Sequence, residues 1–278
     1  LHPATDARIL ADVKELLGLE RQQGEEASAA AELAELALAR FDFEAAARLF
    51  HEATEIQPIT DRTAAMGYLL READALRRWN EQVGDESVLR RAAQVYAEAL
   101  QRARAGSDRH AAAIADLGLG QLLARQAERL GDVVMLESAI AALRRALEVL
   151  TPQGEPGPWT EALIGLGSSL AALGGRAEAG IAHLQAAAAA YQDALAGLDQ
   201  RRAPLRWALT QVKLAAILMR LSEIGGERNS WLAAAAAMFR ALQVFEREGA
   251  EAEAELTRRG LRRFQHRLPE LAAPAEQP

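Results

Sequence analysis

The sequence predicts an all-α solenoid of antiparallel helix pairs, and three observations carry that prediction. Two neighbouring stretches repeat one another: Trp159 recurs as Trp207, Leu166 as Leu214, Leu184 as Leu232, Ala187 as Ala235 and Tyr191 as Phe239, each a step of 48 residues. A period of that size marks stacked supersecondary units that cannot bury their apolar faces alone. Half of the 278 residues are apolar while aromatics make up only 5 %, and alanine, the residue least costly to place in a helix, dominates. The nine prolines gather at the ends and between blocks, where they punctuate helices without kinking them.

Taken in order, residues 1–24 read as an N-terminal capping helix. Thr5 or Asp6 caps it, Ile9, Leu10, Val13, Leu16 and Leu17 form its stripe, and Gly18 and Gly24 bracket its end. Five helix pairs follow over residues 25–59, 60–105, 106–152, 153–201 and 202–249. In the first, Arg40, Phe41 and Asp42 make the turn between helices, and the second runs as Asp61 to Asn80 and Asp85 to Arg104. The rear helices carry a pattern of small residue, three others, large residue, two others, small residue: Ala46, Phe50 and Ala53; Ala92, Tyr96 and Ala99; Ala139, Leu143 and Ala146; Ala187, Tyr191 and Ala194. The step of 48 extends the pattern to Leu232, Ala235, Phe239 and Leu242 in the fifth pair, with Leu242 in place of the last small residue. Small residues let two helices approach closely, and the large one fills the gap to the next pair.

The front helices carry Leu33-Ala34, Leu117-Gly118, Leu166-Gly167 and Leu214-Ala215. A glycine inside a helix costs about 1 kcal/mol relative to alanine, so close helix contact is expected at Gly118 and Gly167. Turns fall at Leu130-Gly131-Asp132, Leu173-Gly174-Gly175 and Ile224-Gly225-Gly226. Residues 250–268, with Leu256, Leu261, Phe264 and Leu268, form a C-terminal capping helix, and the Pro/Ala/Glu-rich 269–278 is expected to be disordered.

The Leu-Gly pairs, the Ala-x3-Phe of Ala46 and Phe50, and Pro58 resemble the tetratricopeptide repeat, with its aromatic positions vacant at Ala30 and Ala37. The units that open on Trp159 and Trp207 are similar to a longer bacterial variety of that repeat. The resemblance implies a right-handed superhelix whose front helices line a concave face. It places Tyr68, Glu72, Leu119, Leu122, Ile164, Ser168, Val212, Lys213, Met219 and Arg220 on that face as the candidate partner-binding residues.

A formal charge of −7 and a pI near 5.4 oppose a nucleic-acid partner, since phosphate binding needs a basic excess. The absence of cysteine excludes disulfides, thiolate metal sites and cysteine nucleophiles. The five histidines, at 2, 51, 110, 183 and 266, fall in different units, so no metal, cofactor or catalytic residue is expected. Gln, Asp, Arg or Glu interrupts every alanine run before it reaches a membrane span of about 18–20 residues. The basic set Arg258, Arg259, Arg262, Arg263 and Arg267 reads as a solvated helix face rather than a docking site. Trp159 and Trp207 read as packing between repeats, while Trp79 and Trp231 are candidates for a ligand surface.

These readings predict a non-enzymatic adaptor or scaffold that takes a peptide or partner helix in its groove. The rivals are a carrier holding a lipid or other hydrophobic small molecule in an apolar cavity, and a regulatory domain of a larger signalling protein. The chain opens on Leu1 rather than methionine, which a removed signal peptide and a shortened chain explain equally well. The expected location is cytoplasmic, with the periplasm after signal-peptide removal as the alternative.

Overall fold

The structure is a computed structural model that describes residues 3–58, 60–175, 180–225 and 228–272, with side chains described from 15 to 262 inside those ranges except at 228. The described residues form eleven α-helices and no strand. They are α1 (Pro3–Ala39), α2 (Phe43–Ile56), α3 (Arg62–Val83), α4 (Glu86–Ala105), α5 (Arg109–Leu130) and α6 (Val133–Leu147), then α7 (Pro156–Gly174), α8 (Gly180–Gly197), α9 (Pro204–Gly225), α10 (Arg228–Arg247) and α11 (Glu251–Ala272). The chain divides within α5 into two compact units, Leu1–Leu122 and Leu123–Pro278. In the first, α1 to α4 pack in succession; in the second, α6 to α11 do the same. Connections this short force neighbouring helices to run antiparallel, which is the packing scheme of an α-solenoid.

Aspartate starts the helices. Asp42, Asp61, Asp85, Asp108 and Asp132 each accept from backbone N–H groups in the first turn of α2 to α6, at 2.6–3.3 Å. Each supplies an acceptor to an otherwise orphaned donor and places negative charge at the positive end of the helix dipole.

The first helix departs from the sequence expectation. It is one element of 37 residues, about 55 Å long, that runs through Gly18 and Gly24 without a break. Two glycines at about 1 kcal/mol each do not end a helix when no proline or competing cap accompanies them. Nothing lies within 4 Å of the position a side chain would take at Gly18, Gly24 or Gly67. Gly67→Ala in α3 is therefore expected to stabilise the protein by about 0.5–1 kcal/mol, read as a rise in Tm. At the other end α11 continues to Ala272, past the expected stop at 268, and 273–278 lie outside the described residues.

The core of the first unit joins Ala30, Ala34, Ala46, Phe50, Leu76, Ala92, Tyr96 and Ala99. Leu33, placed by the sequence at the buried Leu-Gly position, is exposed instead; Ala30, Ala34 and Ala37 form the buried stripe of α1. With three alanines on one side, the stripe is defined by smallness rather than by the largest apolar residue.

A second correction concerns α10. Leu232 and Phe239 are exposed, at 45 % and 54 %, whereas Trp231 is 4 % exposed and Ala234, Met238 and Ala241 are buried with it. The front helices keep the step of 48, but the rear helix steps 47, from Leu184 to Trp231 and from Tyr191 to Met238. In this register the small-large-small pattern is complete, as Ala234, Met238 and Ala241. Trp231 thus belongs to the core rather than to a ligand surface.

The large residue of the rear helix repeatedly meets a glycine. A side chain built at Gly118 would come within 2.3 Å of the Tyr96 ring, one at Gly167 within 2.8 Å of Tyr191, and one at Gly260 within 2.2 Å of Met238. The first two are the close contacts expected of the Leu-Gly pairs. Trp159 likewise lies over Gly197 at the end of α8, and Trp207 packs against Phe245 and its neighbours, both as packing residues.

Candidate functional site

Each unit carries one feature that goes beyond packing. In the first, a cavity of about 430 Å³ opens between α2 and α4 with α3 as its floor. Glu72 on α3 is 1 % exposed, and His51 Nδ1 of α2 lies 3.2 Å from its Oε2 while Arg91 of α4 donates to its Oε1 at 3.2 Å. Both partners are about half exposed, so they reach in from the rim. Arg90, Arg102, Glu55 and Glu98 complete a lining of both signs.

In the second unit the exposed face of α9 carries Arg206, Leu209, Lys213, Ala216 and Arg220, spaced three or four residues apart on one side of the helix. Each of its three cations crosses to α7 at an offset of 45 residues. Arg206 Nη1 donates to Glu161 Oε1 at 2.9 Å, Lys213 Nζ donates to Ser168 Oγ at 3.1 Å, and the Arg220 guanidinium lies against Gly175 at the end of α7. The rungs stand about 10.5 Å apart, two helical turns each. Between them α7 offers small or half-buried residues, Ile164, Ser168, Ala171 and Ala172. The helices α7 and α9 also touch directly, so this front face is a seam crossed by rungs.

Ser168 is held from both sides, because the Tyr191 hydroxyl of α8 lies 3.0 Å from its Oγ. Burial pushes the Tyr191 phenol up to about 12, against the Ser168 hydrogen bond and with a further push from Glu128. Lys213 moves the other way. Burial of its ammonium lowers its pKa, Glu128 opposes this, and Arg125 adds to it. The residue is exposed by area, yet enough protein surrounds the amine to cost it hydration.

The ten sequence-predicted residues divide accordingly. Ser168 and Lys213 are brought into direct contact, Arg220 lies two turns further along the same face of α9, and Ile164 is half-buried on α7. Leu122 is core and has no face to offer; Tyr68 and Leu119 are half-buried against the same core. Val212 and Met219 turn toward the clusters that α9 forms with α10 and α11. Glu72 is buried and looks between the rear helices α2 and α4, the opposite side from the front face on which it was placed.

The sequence missed His51 and Arg91, which lie 21 and 19 residues from Glu72 and share no pattern with it. Tyr191 was read as packing alone. A usable signal was lysine itself: the chain has two, Lys14 and Lys213, against 30 arginines. The basic set of α11 is spent locally, with Arg258 donating to Glu246 at 2.6 Å and Arg259 to Glu255 at 3.0 Å; the side chains of Arg263 and Arg267 lie outside the described residues.

Among the described residues no group of three or more His, Asp and Glu could hold a metal ion, and no helix is long and apolar enough to cross a membrane. No protein-family model and no curated protein matches the chain. Among solved structures it is similar to a circular tandem repeat protein with novel repeat topology and enhanced subunit contact surfaces, at 20 % identity and a TM-score of 0.33, covering 91 % of this chain and 71 % of that one. It is also similar to the de novo designed helical repeat protein DHR64, at 22 % identity and a TM-score of 0.22, covering 74 % of this chain and 95 % of that one. TM-scores this low leave the fold to rest on the helix packing described above.

Proposed function

We propose that the chain is a non-enzymatic interaction module of tetratricopeptide-like repeats that receives an acidic, amphipathic segment of a partner protein on the seam between α7 and α9. The small-large-small pattern of five rear helices supports the repeat assignment. The observation that carries the binding face is the ladder of Arg206, Lys213 and Arg220 along one side of α9, with exposed Leu209 and Ala216 between the rungs. Glu161 balances Arg206, but Lys213 and Arg220 face a serine and a glycine on α7, so their end of the seam is locally positive in a chain of net charge −7; it attracts carboxylates while the small residues of α7 leave room for apolar side chains. The cavity over Glu72 is lined by charged groups, which favours recognition of polar partners over carriage of a lipid.

Selection of phage-displayed 16-residue peptides on the full chain tests the proposal. Enriched peptides should pair acidic with apolar residues and should bind the Lys213→Glu/Arg220→Glu variant about tenfold more weakly, in line with roughly 0.5–1 kcal/mol for each exposed charge contact. Peptides that bind the variant equally well, or a selection that enriches nothing, would remove the assignment.

A further inference from the structure

We infer that Lys213 is an acyl-acceptor site, a nucleophilic lysine that takes an acyl group from a small activated donor such as a thioester, with Ser168 and Tyr191 as its positioning pair. This inference goes beyond partner recognition and does not rest on it, because the chemistry needs only the amine and its neighbours.

The geometry starts from the hydrogen-bond capacity of Ser168. A serine hydroxyl has one donor and two acceptor lone pairs. Lys213 Nζ donates to Oγ at 3.1 Å, and the Tyr191 hydroxyl, 3.0 Å from the same oxygen, can fill its second lone pair. The Ser168 O–H then remains as a donor beside the nitrogen. That is where the oxygen of an attacked acyl group acquires negative charge, and a fixed donor there stabilises the transition state more than the ground state. Tyr191 is buried and its phenol stays protonated at neutral pH, so it is able to donate to Ser168 Oγ, and the proposed arrangement is the one in which it does.

The amine is suited to attack. Only the free amine is a nucleophile, and loss of hydration makes that form more abundant at neutral pH than for a lysine in water. The neighbouring Arg125 works in the same sense and Glu128 against it. The side chain is nevertheless open to reagents. An arginine could not act this way, since its guanidinium keeps its proton, and of 32 cationic residues only Lys14 and Lys213 are lysines.

The reaction balances without a redox partner. The Nζ lone pair forms a bond to the acyl carbon, the carbon–sulfur bond breaks, and the sulfur leaves as a thiol carrying one amine proton by way of water. The products are an amide on Lys213 and a free thiol.

The test treats the full chain with S-acetyl-N-acetylcysteamine and follows acetylation of each lysine by peptide mass spectrometry, with Lys14 as the internal reference. At pH 7.5 Lys213 should react at least about fivefold faster than Lys14, and the ratio should shrink toward pH 10 as both amines lose their protons. Glu128→Gln should raise the Lys213 rate at pH 7.5, because it removes the charge that favours the ammonium. Ser168→Ala, read at pH 10 where protonation limits the rate far less than at pH 7.5, should lower it about tenfold. Equal or slower reaction of Lys213 at pH 7.5, a ratio that does not change with pH, or a Ser168→Ala rate unchanged at pH 10 would each overturn the inference.

Discussion

Gly118→Ala is expected to destabilise the protein by about 2–4 kcal/mol, although alanine is the better helix former by about 1 kcal/mol. Gly118 lies in the middle of α5, and a methyl group there would fall 2.3–2.4 Å from three atoms of the Tyr96 side chain. The ring has little freedom to yield. It is buried in α4 against the first unit's core, and its hydroxyl lies beside the Arg77 guanidinium. Arg77 is itself tied down by Asp74 at 2.5 Å and Glu81 at 2.6 Å. The methyl group must therefore push apart two helices rather than turn one side chain. Chemical denaturation should show the loss, and Tyr96→Leu in the Gly118→Ala background should restore at least half of it, since contacting residues are not additive. Gly260→Ala is the internal comparison. Its clash is as close, but it is with the terminal methyl group of Met238, which can rotate away, so its cost should be the smaller. A Gly118→Ala protein with unchanged stability would mean that α4 and α5 are not held at this distance.

How far the fold could be read from the sequence depended on whether size or phase carried the signal. The helix pairs and the glycine contacts at Gly118 and Gly167 were legible, because a repeated Leu-Gly beside a distant aromatic has few other physical meanings. The rotation of α10 was not. In a run such as Ala233 to Ala237 every position is small, so the run fits equally at any rotation, and one residue of slip turns the helix by about 100°. Matching Leu184 to Leu232 and Tyr191 to Phe239 satisfied residue type, but burying the indole of Trp231 with Met238 removes more apolar surface from water. The site followed the same logic. Lys213 and Ser168 lie on helices that correspond in the repeat and were found together, whereas the contacts of His51, Glu72 and Arg91 join three helices at unrelated offsets and needed coordinates.

That buried carboxylate sets the second large effect. Removing both partners, as His51→Ala/Arg91→Ala, is expected to cost about 3–5 kcal/mol, while Glu72→Met should change stability by less than about 1 kcal/mol. The asymmetry follows from where the charge sits. Glu72 is fully buried, so its carboxylate depends on His51 and Arg91, each at 3.2 Å, for what water would otherwise supply. Both partners are about half exposed and lose little hydration in making the contact, so their own removal disturbs almost nothing else. The double variant leaves the buried carboxylate without either partner, and that weakens the fold. Methionine at 72 fills similar volume between Leu69, Ala73 and Leu76 without needing a partner. Adding Glu72→Met to the double variant should therefore restore most of the lost stability. If the triple variant remained as unstable as the double, His51 and Arg91 would be contributing through packing of α2 and α4, not through the carboxylate between them.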